Sequence, residues 1–158
     1  MKNLMTILVI TLSQTLFAAE AIVDIKLSPA GNFSGKTQDV KGSAKKVGTK
    51  IVAENIVVNL SSLKTGITLR DEHTLKYLDT KAHPQAILVK AEGENGKGTG
   101  IIKIKGIEKP IQGTFKVSGK ELHAEFPILL SDYKIEGIRY MGVGVKDQAV
   151  VKVKVPIQ

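Results

Sequence analysis

The sequence predicts an all-β fold, an antiparallel sandwich or closed barrel of about eight strands, interrupted by one short helix near residues 68–78. Three observations carry this prediction. Apolar and polar residues alternate with a period of two over much of the chain, and glycines at 42, 48, 96, 106, 113 and 119 punctuate the alternation. The segment Thr68 to Leu78 alone breaks the two-residue pattern. At 158 residues the chain is sized for one domain, and 42% hydrophobic with 24% charged residues exclude a disordered chain, a fibre and a polytopic membrane protein.

In chain order, Met1 and Lys2 precede the apolar run Leu4 to Phe17 and the small-residue exit Ala18-Ala19-Glu20-Ala21, the three parts of a secretory signal. The run is about 14 residues, short of the roughly 20 that cross a bilayer. Cleavage after Ala21, with Ala19 at the minus-three position, would leave residues 22–158 as a single exported domain; Ala18 and Ala19 are the other cleavage points. Cysteine is absent, which excludes disulfides, a thiolate nucleophile, a thiolate metal site and a lipid-modified cysteine. An exported domain held by its core and ladders alone fits a bacterial periplasm better than a eukaryotic extracellular space.

Val23, Ile25 and Leu27 alternate with Asp24, Lys26 and Ser28 as a half-buried strand, ended by the turn residues Ser28-Pro29-Ala30-Gly31. Further strands are expected at about 32–38, 40–47, 50–60, 85–93, 98–105, 110–118, 121–131 and 148–155. Leu122, Ala124 and Phe126 against Glu121, His123 and Glu125 show one dry and one wet face, as do Val151, Val153 and Val155 against Lys152 and Lys154. Ser118-Gly119-Lys120 predicts a tight hairpin, and Pro127 requires an edge, a bulge or a bend. In the helical segment Thr68 and Asp71 are spaced as a capping box, with Asp in place of the usual Glu or Gln. His83-Pro84 returns the chain to the sheet. The segment Ser131 to Asp147, with Tyr133, Tyr140, Met141 and three glycines, is long for a connection and reads as a flap or wall at a mouth, or as a packed crossover.

The stretch Leu60-Ser61-Ser62-Leu63-Lys64-Thr65-Gly66, followed by Leu69-Arg70-Asp71-Glu72-His73, Tyr77-Leu78-Asp79 and Pro84, resembles the YceI-like family. Gly106 to Pro110 is similar to that family's glycine-to-lysine-proline turn, and Val145-Lys146-Asp147 to its closing motif. The resemblance runs from about Val23 to the C-terminus. It implies an extended, lipocalin-like antiparallel barrel, exported to the periplasm, that encloses a long apolar chain such as a polyisoprenoid, an isoprenoid quinone or a fatty-acid derivative. Two departures stand out: the early strand offers only Phe33 where the family carries an aromatic and a histidine, and Tyr77-Leu78 replaces an aromatic pair.

An eight-stranded barrel can fill its interior with side chains or hold one small ligand. Val23, Ile25, Leu27, Phe33, Leu69, Arg70, Leu75, Leu78, Phe115, Phe126 and Tyr140 are the candidate contacts of an enclosed lipid. Arg70 could meet a phosphate or carboxylate head group, or pair with Asp71 and fix the helix over one end of the barrel. Ser61-Ser62 lacks the glycine-framed elbow of a hydrolase, and His73, His83 and His123 are too scattered to read as a metal site, so neither catalysis, metal nor cofactor is expected. The net charge of +8 comes from lysines spread over many strands without interleaved aromatics, which favours loose contact with an anionic membrane face over nucleic acid. A rival expectation is a filled barrel acting through its basic surface as a stress-protective or interaction module. An exposed edge near Val151 to Val155 could pair between subunits, which Lys152 and Lys154 would discourage if they face that edge.

Overall fold

The computed structural model describes residues 17–158; the expected signal segment lies outside this range up to residue 16. Eleven strands form one antiparallel sheet: β1 (Glu20–Ser28), β2 (Asn32–Thr37), β3 (Val40–Lys41), β4 (Ala44–Val47), β5 (Lys50–Asn59), β6 (Gln85–Glu94), β7 (Lys97–Ile104), β8 (Ile107–Ser118), β9 (Glu121–Leu129), β10 (Arg139–Tyr140) and β11 (Val143–Pro156). Their spatial order is β2-β1-β11-β9-β8-β7-β6-β5-β3, with β4 also on β5 and β10 also on β11. The sheet curls nearly shut. Reciprocal bonds of 2.8 and 2.9 Å between Lys36 and Lys64 tie β2 to the segment after β5, and a parallel bridge joins Ala44 to Ile157 at the other end. Closure of this kind removes most of the free edge that an open sheet would present.

The strand count exceeds the expected eight for local reasons. Gly42, at φ 122°, turns the chain between β3 and β4 where one strand was expected, and residues 139–144 add a short hairpin arm to β11. Val151 to Val155 are not an edge: they lie between β1 and β9, and Lys152 reaches Asp24 across the ladder at 2.7 Å. Their alternation came from one face packing inward, which a central antiparallel strand shares with an edge strand. Pro127 stands where its missing donor costs little, because β9 pairs with β8 only as far as Glu125. Asn95-Gly96 and Lys105-Gly106, all at φ between 51° and 79°, close the β6–β7 and β7–β8 hairpins with the positive-φ pairs that match strand twist.

The single α-helix among the described residues, α1 (Thr68–Tyr77), has no side-chain cap. The spacing that suggests a capping box has another use here. The Asp71 carboxylate turns back to Thr65, accepting from its N–H and its hydroxyl, both at 2.6 Å. This clasp docks α1 against the segment leaving β5. Glu20 and Ala21, which cleavage after Ala21 would remove, open β1, where Ala21 pairs with Thr37 and Val153 and is buried.

Candidate functional site

The barrel interior is hollow at one end. A cavity of about 590 Å³ lies beneath α1 and residues 130–145, within the range of small-molecule sites. Alternation builds its walls: inward residues of β1 (Val23, Ile25, Leu27), β7 (Ile102, Ile104) and β11 (Val145, Val151) are branched aliphatics. Helix α1 contributes Leu69, Arg70, His73, Thr74 and Tyr77, one stripe at three- and four-residue spacing, and its C-cap residue Leu78 continues it. Residues 135–145 supply Ile135, Ile138, Tyr140, Met141 and Val143. That segment is therefore a wall of the mouth, anchored by fully buried Tyr133, whose hydroxyl is pushed up to about 12 by burial and by the charge of Asp132. Asp147 fastens it from β11, accepting from the Ser131 N–H at 2.8 Å and the Ser131 hydroxyl at 2.7 Å. Lys105 links it to the end of α1 by donating to the Lys134 and Tyr77 carbonyls.

Among the expected contacts, Val23, Ile25, Leu27, Phe33, Leu69, Arg70, Leu78 and Tyr140 line this cavity. Leu75 does not. At 100° per residue it lies off the stripe that runs through residues 70, 73, 74 and 77, and its carbonyl instead accepts from Thr80. Phe115 and Phe126 line a separate cavity of about 100 Å³ at the other end of the barrel. Val58, Leu60, Ile104 and Ile128 share the alternation of the chosen positions, and that period is the signal by which they could have been found.

Arg70 is the one permanent charge in the lining among the described residues. Its guanidinium sits 4.4 Å over the Phe33 ring, and Nη2 donates to the Thr65 carbonyl at 2.8 Å. No ion pair joins it to Asp71 among the described residues, because the Asp71 carboxylate is turned toward Thr65. The Thr65 hydroxyl and N–H, with the nearby charges of Lys64 and Arg70, hold the Asp71 carboxyl below its ordinary 3.8. The Arg70 Nε–H is buried and has no partner, an arrangement that calls for an acceptor. His73 meets Tyr140 edge-on at 5.8 Å across the mouth. His83 packs by Gly106, and His123 pairs with Glu121 on the outer face of β9. The Ser62 hydroxyl is occupied structurally, donating to the Asn59 carbonyl and lying 2.6 Å from the Thr37 hydroxyl.

Five exposed large apolar residues, Ile67, Leu69, Tyr140, Met141 and Val143, gather at the mouth while also lining the cavity. Met141 is 85% exposed. An apolar rim continuous with an apolar interior is a path by which a hydrophobic molecule can pass without crossing a polar collar.

Comparison with known proteins agrees with this architecture. A UPF0312 protein of Pectobacterium carotovorum subsp. carotovorum (strain PC1) is 30% identical over 97 residues, covering 51% of this chain and 50% of that protein, so the chain spans about half the length of the curated relative it matches. Two solved structures share the fold. Burkholderia cenocepacia BcnA superposes with a TM-score of 0.65 at 17% identity, covering 86% of this chain and 94% of that one. A polyisoprenoid binding domain from Saccharophagus degradans implicated in plant cell wall breakdown gives 0.61 at 14% identity, covering 87% and 91%. The family model described as the YceI-like domain matches residues 14–157, nearly the whole barrel, and the chain belongs to the YceI-like family.

Proposed function

We propose that this protein binds one long apolar chain, an isoprenoid or acyl lipid, inside the barrel and carries it without chemical change. The observation that carries this reading is the 590 Å³ cavity, walled by aliphatic side chains and opening through an apolar rim. Each methylene buried there contributes about 0.8 kcal/mol, so about ten would supply on the order of 8 kcal/mol before the cost of ordering the chain. The polyisoprenoid-binding description of the Saccharophagus degradans domain supports the same ligand class. Arg70, the one permanent charge in the lining among the described residues, receives the oxygen-bearing end of the ligand. The N-terminal signal pattern supports a periplasmic carrier, where an apolar lipid needs escort through water, and the cationic surface and apolar rim favour contact of the mouth with an anionic membrane face.

The test is native mass spectrometry of the exported protein, followed by organic extraction and mass analysis of what is released. A stoichiometric isoprenoid or acyl lipid is expected. A bare protein mass, together with a lipid titration that shows no binding, would overturn the proposal. The same spectrum reads the N-terminus and so decides among cleavage after Ala18, Ala19 and Ala21.

A further inference from the structure

The barrel is not one continuous tunnel. The cavity under the mouth and the cavity of about 100 Å³ at the far end have only Ile102 in common among the described residues that line them. Phe126 lies on the far side of that shared residue. It is buried in the packed cluster that includes Ile25, Ile102, Ile111 and Ile128 below the mouth, yet it lines only the far cavity.

Glycines on the inner face make room for the β9 backbone at Phe126 and for a second ring, Phe115. A Cβ on Gly113 would lie 2.7 Å from the Phe126 Cβ and 2.2 Å from the Glu125 carbonyl oxygen. A Cβ on Gly93 would lie 2.4 Å from the Phe115 ring. Gly93, on β6, and Phe115, on β8, are separated by β7, so the Phe115 ring reaches across that strand, with Gly98 of β7 beneath it. The Phe115 ring thus lies over two strand positions, 93 and 98, that carry no side chain. The placement is costly in backbone terms, since inward glycines weaken strands, which points to a use for the rings beyond filling space.

We propose that Ile102, the described residue that lines both cavities, with Phe126 in the same buried cluster behind it, is the floor of the ligand cavity and sets the maximum length of apolar chain the barrel accepts, while Phe115 fills space in the far cavity. This rests on the lipid-binding reading and adds a selectivity to it: chains long enough to reach Ile102 fit, and each further methylene must remain outside in water. Removing the Phe126 ring takes away what lies behind Ile102, opens the floor toward the far cavity and admits longer chains. Removing Phe115 alone leaves the floor in place.

The experiment is displacement of anilinonaphthalene sulfonate fluorescence by the saturated alcohols from decanol to tetracosanol, on delipidated full-length mature protein. Wild type is expected to gain affinity with each added carbon up to a break and then gain no more. In Phe126→Ala the break moves to longer alcohols, in Phe115→Ala it stays, and in the double variant it moves further than in Phe126→Ala. Ile102→Ala, a smaller truncation at the same floor, shifts the break in the same direction and serves if Phe126→Ala does not fold by circular dichroism. An unchanged break in the folded floor variants overturns the length stop while leaving lipid binding intact. Failure of wild type to bind any of the alcohols overturns the lipid-binding reading and the length stop with it.

Discussion

Arg70 shows how one side chain can be both structural and available. Its guanidinium is fixed by the Phe33 ring and by one bond to Thr65, and its Nε–H is buried without a partner, while the residue as a whole lines the cavity. A charge-assisted hydrogen bond contributes about 1.5–3 kcal/mol, so Arg70→Met is expected to weaken palmitate binding by roughly tenfold to a hundredfold while leaving methyl palmitate nearly unaffected. Isothermal titration of the two ligands measures the contrast, and equal losses for both would remove Arg70 from the site. Asp71 makes a separate, pH-dependent contribution. Its folded-state pKa is lowered below 3.8 by the bonds from Thr65, so its stabilisation is complete at neutral pH and is lost as pH falls through the folded value. Thermal midpoints of wild type and Asp71→Asn are therefore expected to differ at pH 7, and the gap to narrow once pH drops below the ordinary carboxylate value. A gap that stays constant into acid would mean that the Asp71 charge is not what the clasp uses.

At the level of elements, the barrel depends on glycines for two different reasons, and substitution separates them. Gly113 has an ordinary extended backbone but no space, since an added Cβ would press on the Glu125 carbonyl and on Phe126. Overpacking of this kind costs about 1–3 kcal/mol. Gly48 has open space but φ 62°, so Gly48→Ala bears only the left-handed backbone penalty, about 1 kcal/mol. Urea unfolding is expected to rank Gly113→Ala below Gly48→Ala in midpoint, and the reverse order would mean that β8 and β9 separate more easily than their packing implies. Helix α1 illustrates the same dependence on neighbours. Without a side-chain cap it is held by the Thr65–Asp71 clasp and by the Lys105 bonds at its C-terminal end, so its position over the mouth is set by tertiary contacts and not by its own ten residues.

For the whole molecule, the concentration of exposed apolar residues at the cavity mouth, on a chain of net charge +8, gives the barrel a preferred face. Flotation with vesicles containing phosphatidylglycerol is expected to recover the protein at low salt and progressively less as salt screens the charge. A Leu69→Ser/Met141→Ser variant should float less at every salt concentration, because the rim and not only the charge makes the contact. Equal flotation of variant and wild type would assign the contact to another face.

Much of this was legible in the chain. The two-residue alternation of Val23, Ile25 and Leu27, and of Leu122, Ala124 and Phe126, determined that the fold is a sheet with one apolar face, because a strand turns successive side chains to opposite sides whatever surrounds it. The motifs from Leu60 to Pro84 determined the family. What alternation cannot express is position along the barrel axis: Ile25 and Phe126 are both inward, yet one walls the cavity and the other stands below it, a difference set by which strands lie opposite. Only the tertiary structure decided that β11 is central, that Asp71 faces Thr65 and not Arg70, and that Phe126 lines the far cavity and not the one under the mouth. Each of those depends on contacts between residues far apart in the chain, and local pattern carries no record of such distances.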